Sequence, residues 1–81
     1  MASVKEFENA LRKLDNNTDI WNKVLENTNN SSDSTILAGE AIDLLETDGL
    51  FGEEGLEKGV RTSMVNALSG IISNISITKG S

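Results

Sequence analysis

The chain has 81 residues, a formal charge of −6, and no cysteine, histidine or proline. A chain of this length forms one domain with a small core, and without cysteine it has neither a disulfide nor a thiolate-bound metal to stabilise that core. The lack of histidine removes the commonest metal ligand and the commonest general base at neutral pH, so we expect a non-enzymatic protein without a cofactor or a metal.

No segment predicts targeting or membrane insertion. The start of the chain, MASVKEF, lacks the basic and then apolar order of a secretory signal. The longest nearly uncharged segment, residues 62–78, is interrupted by serine and asparagine and is shorter than the roughly 20 apolar residues of a spanning helix. We therefore expect a soluble, cytoplasmic protein with no membrane span.

The beginning of the chain has the pattern of an amphipathic helix. Apolar residues recur every three or four positions over residues 4–14, and Ser3 followed by Glu6 matches a capping box. Glu8 and Arg12 lie four residues apart, a spacing that favours an ion pair on the helix surface. We predict a first helix over residues 4–14.

A second apolar stripe, which includes Trp21, predicts a helix over residues 18–27. The polar residues 15–18 before it favour a turn or a helix cap. The sequence leaves open whether the first two helices are separate or form one bent helix. We interpret Trp21 as a core residue and not as a platform for a ligand.

Residues 15–26 partly match a calcium-binding loop. Oxygen-bearing side chains occupy positions 1, 3, 5 and 12 of the pattern: Asp15, Asn17, Asp19 and Glu26. Position 6 requires glycine and holds Ile20, while position 9 brings the cation of Lys23 close to the metal. Calcium binding is therefore not expected, and a cap followed by an amphipathic helix accounts for the same residues.

The clearest linker is the Asn- and Ser-rich run at residues 27–34, whose side chains bond to their own backbone and compete with helix formation. Asp33 or Ser34 then caps a third helix, predicted over residues 34–46. Gly49 is well placed to end this helix, because glycine readily adopts the left-handed conformation that follows many helices.

A connector at residues 50–55 precedes a fourth helix, predicted over residues 53–75 with two glutamates in its first turn, where the helix dipole favours negative charge. Glu57 and Arg61 have the spacing of an ion pair on its surface. Alternating apolar residues within residues 71–78 also fit a strand, so the state of this segment is left open.

Together these elements predict an all-α fold: a small bundle of three or four helices with a long apolar C-terminal helix. We expect residues 1–81 to form a single helical domain.

Charge is sorted along the chain. Residues 1–23 have four bases and four acids, residues 24–57 have nine acids and no base, and residues 58–81 have three bases and no acid. Three of the acids recur at every third position of the third helix and are expected to orient a protein partner: Glu40, Asp43 and Glu46. The alternative is an acidic inhibitor or nucleic-acid mimic that covers a basic surface. Direct nucleic-acid binding is not expected, because the chain has no basic stripe.

The apolar residues of the fourth helix spread over about half of its circumference, wider than the stripe of about 100° with which a helix packs on one small core. Gly59 and Gly70 each cost roughly 1 kcal/mol inside a helix and suggest a packing reason. Either this helix is the centre of the bundle, or one flank binds another chain. We predict a protein-binding or self-assembling module whose partner is a protein, including copies of itself, and whose contacts are Val60, Met64, Leu68, Ile71, Ile72 and Ile75.

Overall fold

Four α-helices make up the described part of the chain. The computed structural model describes the backbone of residues 3–80 and the side chains of residues 4–74. Within these limits it contains α1 (Ser3–Leu14), α2 (Thr18–Asn27), α3 (Ser34–Thr47) and α4 (Lys58–Gly80), and no strand. The all-α prediction is confirmed, and the alternating residues 71–78 belong to a helix.

The first two helices are separate because the backbone changes direction at the asparagines between them. Asn16 has a φ of 60°, the left-handed conformation that ends a helix. The side chain of Asn17 then caps α2, with its Oδ1 accepting a hydrogen bond from the N–H of Ile20 at 3.2 Å. The cap of α3 is Asp33 and not Ser34, since the carboxylate of Asp33 accepts from two N–H groups of the first turn.

Two backbone hydrogen bonds close the end of α3. The N–H of Gly49 donates to the C=O of Glu46 at 3.0 Å, and the N–H of Leu50 donates to the C=O of Leu45 at 3.1 Å. Gly49 has a φ of 84°, which confirms it as the predicted stop. α2 ends in the same way, but there the left-handed position is occupied by Asn29, whose Cβ makes that conformation less favourable than it is for glycine.

The fourth helix begins at Lys58, and the predicted start at residue 53 is wrong. Gly52 and Gly55 have φ values of 86° and 71°, which interrupt a helix. The N–H of Leu56 donates to Oε2 of Glu46 on α3 at 2.8 Å, a bond between distant segments that holds the connector against α3. The two glutamates expected in the first turn of the helix therefore lie exposed in the connector.

Helix α3 lies at the centre of the bundle. It packs most extensively against α4 and also against α2 and α1, whereas α4 packs extensively only against α3 among the described residues. Two fully buried alanines, Ala38 and Ala41, allow the neighbouring helices to approach α3 closely. The core is Ala10, Leu14, Ile20, Val24, Ala38, Ala41, Ile42, Leu45, Met64, Val65 and Leu68. The interpretation that the fourth helix is the central one is wrong, because the small side chains that permit close packing are on α3.

Polar contacts at both ends show that α3 and α4 run antiparallel. At the start of α3, the hydroxyls of Ser34 and Thr35 lie 3.0 and 3.1 Å from Oγ of Ser69. Towards its other end, Asp43 pairs with Arg61 near the start of α4. These contacts set the rotation of α4 about its own axis, and so determine which of its apolar residues face α3 and which face away.

Candidate protein-binding groove

Two residues predicted to contact a partner belong to the core. Met64 and Leu68 are only 3% and 2% exposed, and they pack together with Val65, which lies at the edge of the predicted stripe. Because their surface is already covered by the same chain, these three side chains stabilise the fold. Only the small remaining surface of Met64 and Leu68 reaches the groove between α1 and α4.

The other predicted residues of α4 form a flank beside this buried face. Val60 and Ile72 are half-buried against the core, and Ile71 is 38% exposed. The side chain of Ile75 lies outside the described residues. The predicted stripe therefore divides into a face that packs on α3 and a flank that is open.

The seam between α1 and α4 is open on the outside of the bundle and holds two hollows in succession. The first has a volume of about 230 Å³ and lies near the start of both helices. It is lined by Val4, Phe7, Val60, Ser63, Met64 and Ala67. Apart from one serine, every side chain around it is apolar.

The second hollow lies near the end of α1 and has a volume of about 530 Å³. Its apolar lining is Leu11, Leu14, Trp21, Leu68, Ile71 and Ile72. We call the two hollows, with these lining residues, the α1–α4 groove. α1 and α4 form its two sides, and α2 contributes its aromatic side chain.

Trp21 packs against the core, as predicted, and also forms a wall of the groove. Its indole is half-buried, and Nε1–H donates a hydrogen bond to the C=O of Leu14 at 3.0 Å. That carbonyl belongs to the last turn of α1, where backbone acceptors lack partners within the helix. With its polar atom satisfied, the indole presents an apolar surface to the groove, the arrangement that makes tryptophan common at protein interfaces.

Charged residues of α1 and of the turn after it lie on the rim of the groove. Glu8, Arg12 and Asp15 border the second hollow, and Lys5 lies one turn before Glu8 on α1. The expected ion pair between Glu8 and Arg12 is not formed. In the part of the chain whose side chains are described, all ion pairs involve Arg61 of α4, so the four rim charges have no ionic partner there.

The flank of α4 beside the groove has no charged residue among its described positions. Ser63, Ala67 and Gly70 are exposed in succession along it. The packing reason suggested for the helix glycines is not found inside the chain, because a Cβ added at Gly59 or Gly70 would meet nothing within 4 Å. This flank is therefore a narrow surface that a second helix can approach closely.

The three acids predicted to orient a partner are engaged within the chain. Glu40 accepts a hydrogen bond from the side-chain amide of Asn27 on α2 at 2.9 Å. Asp43 pairs with α4, and Glu46 accepts the backbone bond from the connector described above. These carboxylates hold α2, α4 and the connector to α3, and the guanidinium of Arg61 offsets the charge of Asp43.

Arg61 reaches across to α3 instead of along α4. Its predicted partner, Glu57, precedes the first residue of the helix. The guanidinium Nε donates to Oδ1 of Asp43 at 3.2 Å and lies 3.9 Å from Oε1 of Glu46. Sequence reasoning missed these pairs, because no local spacing relates residues that meet only through helix packing.

Charge also differs between the helices. By sequence, α1 has three bases and two acids, and α4 has three bases and no acid, a sum of +4 for the two helices that form the groove. The rest of the chain has one base and eleven acids, a sum of −10. The groove is therefore formed by the two helices of positive net charge in an acidic protein.

Two other kinds of site are absent from the described residues. No group of three or more acidic side chains there is placed to hold a metal ion, and no helix has the length of apolar surface needed to cross a membrane. Comparisons of the chain with protein-family models, curated proteins and solved structures gave no match.

Proposed function

We propose that this chain is a non-enzymatic protein-binding module that receives a helix of another polypeptide chain in the α1–α4 groove. The observation that carries the proposal is the division of α4: one face packs on α3, whereas Val60, Ala67 and Ile71 border an open groove. A helix that packs only inside its own small bundle has one apolar stripe and does not need this second flank.

The dimensions of the helices support the proposal. α4 has 23 residues and is about 34 Å long, whereas α1 has 12 residues and is about 18 Å long. α1 is thus too short to run beside the whole of α4, and the groove extends along most of the length of α1. Partner helices commonly insert apolar side chains one or two turns apart into such grooves, and the two hollows supply successive receiving sites.

The chemistry of the groove supports binding and not catalysis. Its walls are mostly aliphatic side chains together with the rings of Phe7 and Trp21, and its charged groups lie on the rim. Protein interfaces have this arrangement, with an apolar centre that excludes water and a polar margin that sets orientation. Trp21 supplies the aromatic anchor that often contributes most to the affinity of such interfaces.

The alternative function, an acidic inhibitor that covers a basic surface, has less support. It depends on free carboxylates on α3, and Glu40, Asp43 and Glu46 are each engaged within the chain. These contacts give the three acids a structural role, whereas Val4, at 74% exposed, and Ile71, at 38% exposed, leave apolar surface open at the groove.

The substitution Ile71→Asp tests the proposal, with Asn66→Asp as its matched control. Both side chains are exposed on α4 and both changes add one negative charge, but Asn66 does not line the groove. We expect both variants to keep a helical circular dichroism spectrum and cooperative unfolding. Only Ile71→Asp should lose the partner, because a carboxylate in the groove would have to be desolvated without a hydrogen-bond partner.

Partner binding is measured by crosslinking in cells that produce the protein. p-Benzoylphenylalanine is placed at Ala67, in the groove, or at Asn66, outside it. Position 67 should give one discrete adduct, identified by mass spectrometry as a second copy or another protein, and Ile71→Asp should abolish it while Asn66→Asp does not. Equal adducts from both positions, no adduct from position 67, or an adduct that survives Ile71→Asp would overturn the proposal.

A further inference from the structure

The rim of the groove has a charge pattern that is complementary to itself. Lys5, Glu8 and Arg12 of α1, and Asp15 directly after its last residue, follow one another with alternating sign and with spacings of three, four and three residues, which keep them on one side of the helix. The pattern is symmetric about Ala10. If a second α1 lay antiparallel beside the first with a two-fold axis near that residue, every base would face an acid.

We infer that the occupant of the α1–α4 groove is a second copy of this chain, in a two-fold dimer with antiparallel α1 helices. Lys5 then lies opposite Asp15 of the second copy, and Glu8 lies opposite Arg12 of the second copy. This inference rests on the proposed function. A two-fold interface requires a surface patch that is complementary to itself, and the rim of α1 meets that requirement.

The same alignment places an exposed apolar side chain over a hollow. Val4 is the most exposed large apolar residue of the described chain, at 74%. In the antiparallel alignment about Ala10, Val4 lies opposite Asn16 of the second copy, and Asn16 borders the second hollow. Two-fold symmetry repeats this contact, so each copy covers the hollow of the other.

Alternation of the rim charges favours a second copy over an unrelated acidic partner. A site for an acidic helix would be lined by basic side chains alone. Here Glu8 lies between Lys5 and Arg12, and Asp15 follows Arg12, so acids alternate with the bases. A two-fold dimer through α1 also pairs a helix of net charge +1 instead of α3, which has three acids and no base, and this lowers the repulsion between two chains of charge −6.

Charge reversal tests both the partner and the alignment. Sedimentation equilibrium is measured for the wild type, Glu8→Arg, Arg12→Glu and the double variant. Each single change replaces two attractive contacts by two repulsive ones and should weaken the dimer about tenfold or more, and the double variant should return to within about threefold of the wild type. The two single changes shift net charge in opposite directions, so a general charge effect would strengthen one dimer and weaken the other.

Each outcome decides the inference. Weaker dimers of both single variants, with recovery of the dimer in the double variant, support the antiparallel alignment. Lys5→Glu and Asp15→Lys, singly and together, repeat the test at the outer pair. Opposite effects of the single changes, or no recovery in the double variant, would overturn it. A wild type that stays monomeric up to about 1 mM would also overturn it. The proposed function would then stand only if position 67 crosslinks to another protein.

Discussion

Replacing Gly55 with alanine should loosen the connector that leads into α4. Gly55 has a φ of 71°, and a Cβ built on it would lie 2.6 Å from Oε2 of Glu46. The same oxygen accepts the hydrogen bond from the N–H of Leu56 at 2.8 Å. An alanine at position 55 therefore has two effects: it strains the backbone, and it displaces a carboxylate that ties the connector to α3.

The two effects have comparable magnitude. A left-handed conformation costs a residue with a Cβ about 1–2 kcal/mol relative to glycine. A hydrogen bond to a charged group contributes about 1.5–3 kcal/mol, and the low end applies because the Glu46 side chain is 26% exposed. Gly55→Ala should thus lower the free energy of unfolding by about 2–4 kcal/mol, a large share of the 5–15 kcal/mol typical of a domain.

Gly52→Ala is the control for the backbone effect alone. Gly52 has a φ of 86°, but a Cβ there would meet nothing within 4 Å. It should therefore cost only about 1–2 kcal/mol. Urea unfolding, followed by far-ultraviolet circular dichroism and by Trp21 fluorescence, gives the difference between the two variants.

A double-mutant cycle locates the second effect. In a Glu46→Ala background, Gly55→Ala should cost no more than Gly52→Ala, because the carboxylate that it displaces is gone. Equal costs of Gly52→Ala and Gly55→Ala in the wild type would refute the reasoning. So would an unchanged cost of Gly55→Ala in the Glu46→Ala background.

Three further substitutions probe the helix ends and the groove. Trp21→Phe removes the donor to the C=O of Leu14 and should lower the free energy of unfolding by about 0.5–1.5 kcal/mol. The measurement is urea unfolding followed by circular dichroism, and an unchanged urea midpoint of unfolding would contradict the role of that bond. Asn29→Gly removes the strain of a φ of 56° at the end of α2 and should raise the free energy of unfolding by up to about 1 kcal/mol, seen as a higher melting temperature. A lower melting temperature would show instead that the asparagine side chain stabilises this turn. Val4→Asp should change the free energy of unfolding by no more than about 0.5 kcal/mol, because the side chain is already 74% exposed. It should nevertheless weaken self-association, measured by sedimentation velocity. A dimer as stable as that of the wild type would place the interface elsewhere.

The division of α4 also explains why a wide apolar stripe occurs on a helix that is not central. Met64 and Leu68 serve the core, while Ile71 lies on the flank beside the open seam. A single helix can thus hold its own bundle together and still have an apolar flank that its own bundle leaves open. The small, uncharged residues Ser63, Ala67 and Gly70 leave that flank accessible.

Local features of the fold were predictable from the sequence. The all-helical class, the order of the helices, the linker before α3 and the stop at Gly49 follow from apolar periodicity and from hydrogen bonds that span only a few residues, whereas the separation of α1 from α2 was left open by the sequence. Asp33 and Asn17 cap their helices through bonds to residues two or three positions further on, so these caps too depend on local sequence.

The tertiary structure alone decided the start of α4, the central position of α3, the partners of the acids and the existence of the groove. Glu46 meets Leu56, and Asp43 meets Arg61, only because α3 and α4 pack antiparallel. The buried half of the α4 stripe depends in the same way on the rotation of one helix against another. Sequence patterns report contacts within one or two helical turns, whereas a groove is formed by surfaces from distant segments, and its shape follows from how all four helices share one small core.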